Sequence, residues 1–187
     1  IPYTLVGEKV VSCVKSVKKS FIECLPESVN KASSYRAVPK CPYFERCGGC
    51  QLQHSDYKHS LKIKQEIVQN AISKIGSLNQ NVLPVIESAV HYGYRNKISC
   101  KFNCETKKLS LCGVDNNLID IEDCVIVETW CKKLIKLTND FVKRFNVSVY
   151  NNKTNKGLLK QLIARKVGKT LLVTIVVNGK DLLNFED

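Results

Sequence analysis

Three thiols fall within ten residues of this chain, in Cys41-Pro-Tyr-Phe-Glu-Arg-Cys47-Gly-Gly-Cys50. The spacing is C-x5-C-x2-C. Clustered thiolates at such spacing hold soft metal centres, either zinc or an iron–sulfur cluster. Gly48 and Gly49 let the backbone close around a centre, and amides aimed at sulfur tune it. Pro42 fixes one φ and stiffens the loop. A fourth ligand must come from elsewhere, and by spacing alone Cys100, Cys104, Cys112, Cys124 and Cys131 all qualify. Structural zinc usually presents two short knuckles, and this loop has one. A three-plus-one arrangement suits a [4Fe–4S] cube, so on spacing both metals stand open. His54 and His59 lie on or beside the next helix. His54 is read as non-ligating, since a lone His seldom completes a thiol-dominated site.

The rest of the composition says where such a centre would work. The net charge is +12, which suggests a polyanionic partner, nucleic acid before an anionic membrane surface. Only five of the 29 basic residues are Arg, so few positions can make bidentate phosphate contacts. An acidic electron carrier is disfavoured by the same charge. No apolar run approaches the roughly 18–20 residues of a membrane span. Ten cysteines invite a disulfide framework, but no secretory leader opens the chain, and the reading is a reducing cytoplasm. Cys13, Cys24, Cys100 and Cys112 sit in apolar or alternating stretches and are expected to behave as small hydrophobes. The chain begins at Ile1 and has no Met, so it is expected to be a segment of a longer protein.

The elements that must position these residues follow from periodicity. Residues 9–17 alternate and read as a strand, with Lys15, Lys18 and Lys19 at one end; 21–24 reads as a second. Residues 26–40, rich in Pro, Ser and Asn, read as a linker or loop. Residues 55–75 read as an amphipathic helix capped by Ser55 or Asp56, with Tyr57, Leu61, Val68, Ala71, Ile72 and Ile75 on one face and Gly76 at its end. Residues 96–114 read as a hairpin, followed by a turn at Asn116-Asn117 and a short apolar piece, 118–121. A second helix is expected over 128–145, with Trp130, Leu134, Leu137, Phe141 and Phe145 on one face. Strands 158–165 and 170–177 follow, joined near Gly168.

The loop through Cys50-Gln-Leu-Gln-His54 resembles the cluster loop of the RNA (uracil-5-)-methyltransferases, above all the 23S rRNA branch. The Lys-rich helix after Tyr57 is similar too. So are Tyr94-Arg95-Asn96-Lys97, Ile121-Glu-Asp-Cys124 and Gly157-Leu-Leu-Lys-Gln-Leu-Ile-Ala-Arg165. Leu5-Val-Gly-Glu8 to Phe21 resembles the second half of a TRAM domain, an OB-like RNA-binding barrel. The resemblance implies an α+β fold: a partial OB-like TRAM barrel and linker over 1–40, then a mixed α/β central domain over 41–187 carrying the iron–sulfur loop. It implies Cys41, Cys47, Cys50 and Cys124 as ligands of a [4Fe–4S] cluster, and RNA contacts at Lys15, Lys18, Lys19, Arg95, Asn96 and Lys97. The cluster is expected to be structural.

In the family a thiolate adds to C6 of a uridine, C5 takes the methyl group of S-adenosylmethionine, and a base removes the C5 proton. The resemblance implies that those catalytic groups and the S-adenosylmethionine domain follow residue 187. This segment would then bind RNA, rRNA before tRNA, as an inactive portion of a cytoplasmic and monomeric enzyme without membrane contact. A free-standing zinc-stabilised RNA-binding module is the competing class. Leu111-Cys112-Gly113-Val114 is similar to the family's cofactor loop, but Asp115 and Leu109 break the pattern, and a hairpin is the wrong context for such a loop.

Overall fold

A computed structural model describes residues 1–179; residues 180–187 of the expected 41–187 domain lie outside the described residues. The protein is mixed α/β with two antiparallel sheets, and it divides into two compact units. The first holds Ile1–Phe44 and Cys50–Ala89, the second Glu45–Gly49 and the residues from Val90 onward.

In the first unit, β1 (Lys9–Val17) and β2 (Ile22–Lys31) form a two-stranded antiparallel ribbon. Lys18 N–H donates to Phe21 O at 2.9 Å and closes the turn. The loop expected from residue 26 begins later, because β2 runs on through Pro26 to Lys31. Pro26 pairs with Ser12, directly after a register irregularity between Val11 and Ser12. A proline has no N–H to give a ladder, and a bulged edge does not ask for one. Cys13 is exposed and Cys24 half-buried, so neither is the core residue expected.

The ribbon is anchored by charge. Glu8 has a side chain 1% exposed and accepts from Arg36 Nε at 2.6 Å, Arg36 Nη2 at 2.8 Å, Leu5 N–H at 2.8 Å and Ser33 N–H at 3.1 Å. Arg36 Nη2 also donates to Tyr3 O. The Arg36 hydrogen bond outweighs burial and, with the backbone donors, brings the Glu8 carboxyl from 4.5 to about 2.

Helix α1 (Tyr57–Asn70) begins at Asp56, whose Oδ1 accepts from His59 N–H at 2.8 Å, and ends in a π-helical turn, Ala71–Ile75. Gly76 follows, but at φ −75°; the left-handed residue is Ser77 at φ 52°. Glycine is needed at 76 for another reason, since a Cβ there would sit 2.8 Å from Ile72 O. The expected apolar face is only partly used: Val68 and Ile75 are exposed. Glutamines hold the chain that follows instead. Gln65 donates to Val82 O, and Gln69 both donates to Gln80 O and accepts from Val82 N–H.

The second unit is a five-stranded antiparallel sheet in the order β5-β4-β3-β6-β7. Its strands are β3 (Lys97–Phe102), β4 (Leu109–Cys112), β5 (Leu118–Asp120), β6 (Leu159–Val167) and β7 (Thr170–Val177). Helix α2 (Trp130–Arg144) packs on it. β3 alternates strictly: Ile98, Cys100 and Phe102 are buried, while Lys97, Ser99 and Lys101 are exposed. Leu109, Leu159, Leu162 and Ala164 add to the same core.

From α2 the buried residues are Cys131, Ile135 and Val142, not the expected Trp130–Leu137 stripe; Leu137 is 56% exposed. The two stripes are neighbours on one helix. Phe141 and Phe145 pack on each other at 5.0 Å, while the small Cys131 fills the tight position. Cys112, at the end of β4, is exposed rather than core. Among the described residues no helix is long and apolar enough to cross a membrane.

Two predictions come from these contacts. Gly157 sits at φ +102°, and a Cβ there would lie 2.1 Å from Val149 O. Gly157→Ala should therefore lose roughly 3 kcal/mol or more in urea unfolding; a loss under about 1 kcal/mol would refute the close approach. Glu8 has a lowered folded pKa, so its stabilisation is full above pH 4.5 and fades as pH falls through about 2. Thermal melts of Glu8→Gln should be well below wild type at pH 7 and converge on it near pH 2. Parallel melting curves across that window would contradict the ion pair.

Candidate metal centre and nucleic-acid surface

The cysteine loop is built from turns. Phe44 N–H donates to Cys41 O at 3.1 Å, and Cys41 N–H donates to Gln53 Oε1 at 3.2 Å. In the first unit Phe44 packs on Tyr3, ring centroids 5.3 Å apart, and both rings meet His54. His54 is thus buried in an aromatic cluster.

Cys47 is held in the second unit. Gly48 N–H donates to Cys112 O at 3.1 Å and Val114 N–H to Arg46 O at 2.9 Å, so the chain around Cys47 runs antiparallel to that around Gly113. A Cβ on Gly113 would meet Arg46 O and Ile119 Cδ1 at 3.0 Å. The Leu111–Val114 segment is therefore the strap that fixes Cys47, in a hairpin turn where Gly113 N–H donates to Asn117 O at 2.7 Å. Gly49 would place a Cβ 3.5 Å from Cys47 Sγ, so the absence of a side chain at 49 leaves the sulfur open on that side.

Cys124 opens a tight turn: its N–H donates to Asp123 Oδ1 at 2.7 Å, and its carbonyl accepts from Val127 N–H at 2.8 Å. Cys100 and Cys131 are fully buried near it. Burial, then the neighbouring Cys124, pushes both thiols up to about 12. They are apolar walls at neutral pH, because only the thiolate binds metal well. Cys104 and Cys112 are exposed. Cys41 and Cys50 belong to the first unit, Cys47 and Cys124 to the second. Among the described residues no three His, Cys, Asp or Glu side chains form a group that could hold a metal ion.

Lys15 lies on β1 and Lys18 and Lys19 at its turn, all exposed. Arg95, Asn96 and Lys97 are exposed in the second unit. Arg95 N–H donates to Ile126 O, and Asn96 O accepts from Lys166 N–H, both at 2.8 Å. Sequence reasoning missed Lys101 and Arg165 on the face that Lys97 opens. Alternation of β3 points to Lys101; Arg165 needs the register Lys97↔Arg165.

The strap is testable. Gly113→Ala should cost roughly 1–3 kcal/mol by overpacking and speed alkylation of Cys47 by iodoacetamide. Unchanged labelling of Cys47 would show that the strap does not hold it.

No family model matches the chain. An uncharacterized RNA methyltransferase of Bacillus anthracis is 34% identical, over 100% of this chain and 42% of that protein. One from Clostridium tetani is 31% identical, over 95% of this chain and 39% of its own length. Among solved structures, the tRNA (uracil-54, C5)-methyltransferase of Pyrococcus abyssi, in complex with S-adenosyl-L-homocysteine, shares the fold with a TM-score of 0.72 at 22% identity. That match covers 98% of this chain and 42% of the other. The chain thus spans about two fifths of the relatives it matches. Along its whole length the chain is similar in sequence to RNA methyltransferases, and it shares its fold with one solved example.

Proposed function

We propose that this chain is the RNA-gripping portion of an S-adenosylmethionine-dependent enzyme that makes 5-methyluridine in RNA. The observation that carries this reading is the match of the whole chain to RNA methyltransferases. The fold shared with a tRNA (uracil-54, C5)-methyltransferase supports the uracil C5 chemistry. The resemblance of the 41–54 loop favours 23S rRNA as substrate, and the name of the structural neighbour keeps tRNA as the second reading. The β1–β2 ribbon is the part of an OB-like TRAM barrel that this chain supplies, and the protein acts as a cytoplasmic monomer.

Cys41, Cys47, Cys50 and Cys124 are the proposed ligands of a [4Fe–4S] cluster. Their chemistry fits: all four are soft thiol donors, and Gly49 puts no side chain against the Cys47 sulfur. When bound, the cluster supplies rigid thiolate links and no electrons to a methyl transfer. Lys15, Lys18, Lys19, Arg95 and Lys97 neutralise phosphates, and Asn96 adds hydrogen bonds, which fixes the RNA's register without reading its sequence. The target uridine must leave its stack to react. S-adenosylmethionine binds in the share of the relatives' length that this chain does not span.

The test uses the full-length protein, purified without oxygen, with iron, sulfide and zinc assays. Methyl transfer from labelled S-adenosylmethionine to unmodified 23S rRNA and tRNA transcripts is followed by nucleoside analysis. About four irons and four sulfides are expected per chain, with near-background values in Cys124→Ser, and 5-methyluridine in one RNA. One zinc without sulfide would remove the cluster. No methyl transfer to either RNA would remove the enzyme.

A further inference from the structure

The strands β3, β6 and β7 carry Lys97, Lys101, Lys160, Arg165 and Lys166 and no acidic residue. Lys166 pairs with Glu128, and Lys160 lies 4.2 Å over the ring of Tyr150. Lys97, Lys101 and Arg165 have no ion pair among the described residues. By pleat parity they share one face, opposite the buried Ile98, Cys100, Phe102 and Leu162. Lys97 is the direct cross-strand partner of Arg165. Like charges directly opposite each other destabilise a sheet, and here no carboxylate lies on these strands to relieve them. That arrangement fits an external anion.

The other residues of the face narrow the anion. By the same registers they include Ser99, Gln161, Ile163 and Val167, with Thr170, Leu172, Thr174 and Val176 of β7. Beyond Lys101 the face is closed by the buried Ser110 of β4, whose Oγ donates to Asp120 of β5 at 2.6 Å. None is aromatic, so the face offers no platform for unstacked bases. Gln161 Nε2 donates to Ser99 Oγ at 2.5 Å, which orients the amide and leaves its Oε1 as an acceptor. Lys97 and Lys101 are four residues apart, about 13 Å along the strand. We propose that this face, along β3, β6 and β7, docks a double-helical stem of folded RNA, with Lys97, Lys101 and Arg165 on phosphates and Gln161 on a 2′-hydroxyl. The proposal rests on the RNA reading above and adds the form of RNA and the place where it lies.

Lys97→Glu separates this from a bland solvated face, because it should move stability and binding in opposite directions. Facing Arg165, a glutamate should raise the melting temperature of the free protein by about 1–4 °C. It should also weaken binding of the full-length protein to an RNA hairpin at least tenfold at low salt. The slope of log K against log salt should fall by about 1–2, because one phosphate is no longer neutralised and another meets a repelling carboxylate. Lys153→Glu, an exposed change of equal charge in a loop of the same unit, should shift affinity less than about threefold.

Gln161→Leu should narrow the preference for an RNA hairpin over a DNA hairpin of the same sequence. Affinity of Lys97→Glu within twofold of wild type would overturn the proposal. So would a lowered melting temperature, which would mean that protein covers the face, or equal losses with a single-stranded RNA. A wild-type protein that binds no RNA would instead overturn the functional reading itself.

Discussion

One-sided burial of β3, the central strand of the five-stranded sheet, is the constraint on which the second unit depends. A strand has a side-chain period of two, so committing Ile98, Cys100 and Phe102 to the core commits Lys97, Ser99 and Lys101 to the opposite face. Each large buried side chain contributes about 1.5–3 kcal/mol. A slip of one residue would bury two lysines and expose three core groups, so the register has no near competitor. The positions of the cations are thus a by-product of apolar packing under α2. What is not forced by packing is their identity, and there the chain places charge against charge.

The same sheet organises the thiols. β4 leads from the core residue Leu109 to Gly113 at its turn, and that turn accepts the strand-like segment around Cys47. The chain before β3 is paired with the Cys124 turn, through Gly93 N–H to Val125 O and Arg95 N–H to Ile126 O. Ile126 and Val127 are buried, so the turn that presents Cys124 is anchored in the core. Cys100 and Cys131 are buried near it as neutral thiols. Cysteines in one unit therefore divide into packing residues and presented ones, and burial decides which is which.

That division explains what is legible in the sequence. β3 and α2 can be read because alternation or helical spacing runs through them, and the β6–β7 hairpin because two apolar-rich runs flank Gly168. Pro26 misleads, since a two-stranded ribbon with irregular register tolerates what a central strand would reject. The buried stripe of α2 is displaced by one position because Cys131 packs as a small apolar residue, and a cysteine in a thiol-rich chain draws attention as a ligand. Gly76 ends its helix for a reason other than the expected one: contact with Ile72 O demands it, while Ser77 takes the positive φ. The cysteine loop is legible from spacing alone. The strap on Cys47 is not, because it joins residues more than sixty apart, and in sequence Leu111–Val114 stands out only as a false cofactor loop.

Glu8 and the exposed cations of β3 and β6 are opposite cases of charge in this fold, and the contrast bears on what each is for. Glu8 is buried with Arg36 and accepts hydrogen bonds on both oxygens. Removing either partner would strand a desolvated charge, so the pair works as an internal fastener of the chain around the ribbon. Lys97, Lys101 and Arg165 are the reverse: exposed, alike and without a carboxylate on their own strands. A folded domain optimised for stability alone would put a glutamate opposite Arg165, since the gain is local and needs no change in backbone. The cost of leaving a lysine there is small enough for the core to absorb. A surface that keeps such a cost on a flat face stripped of aromatic groups is shaped by something outside the chain that is negative, extended and not read by stacking.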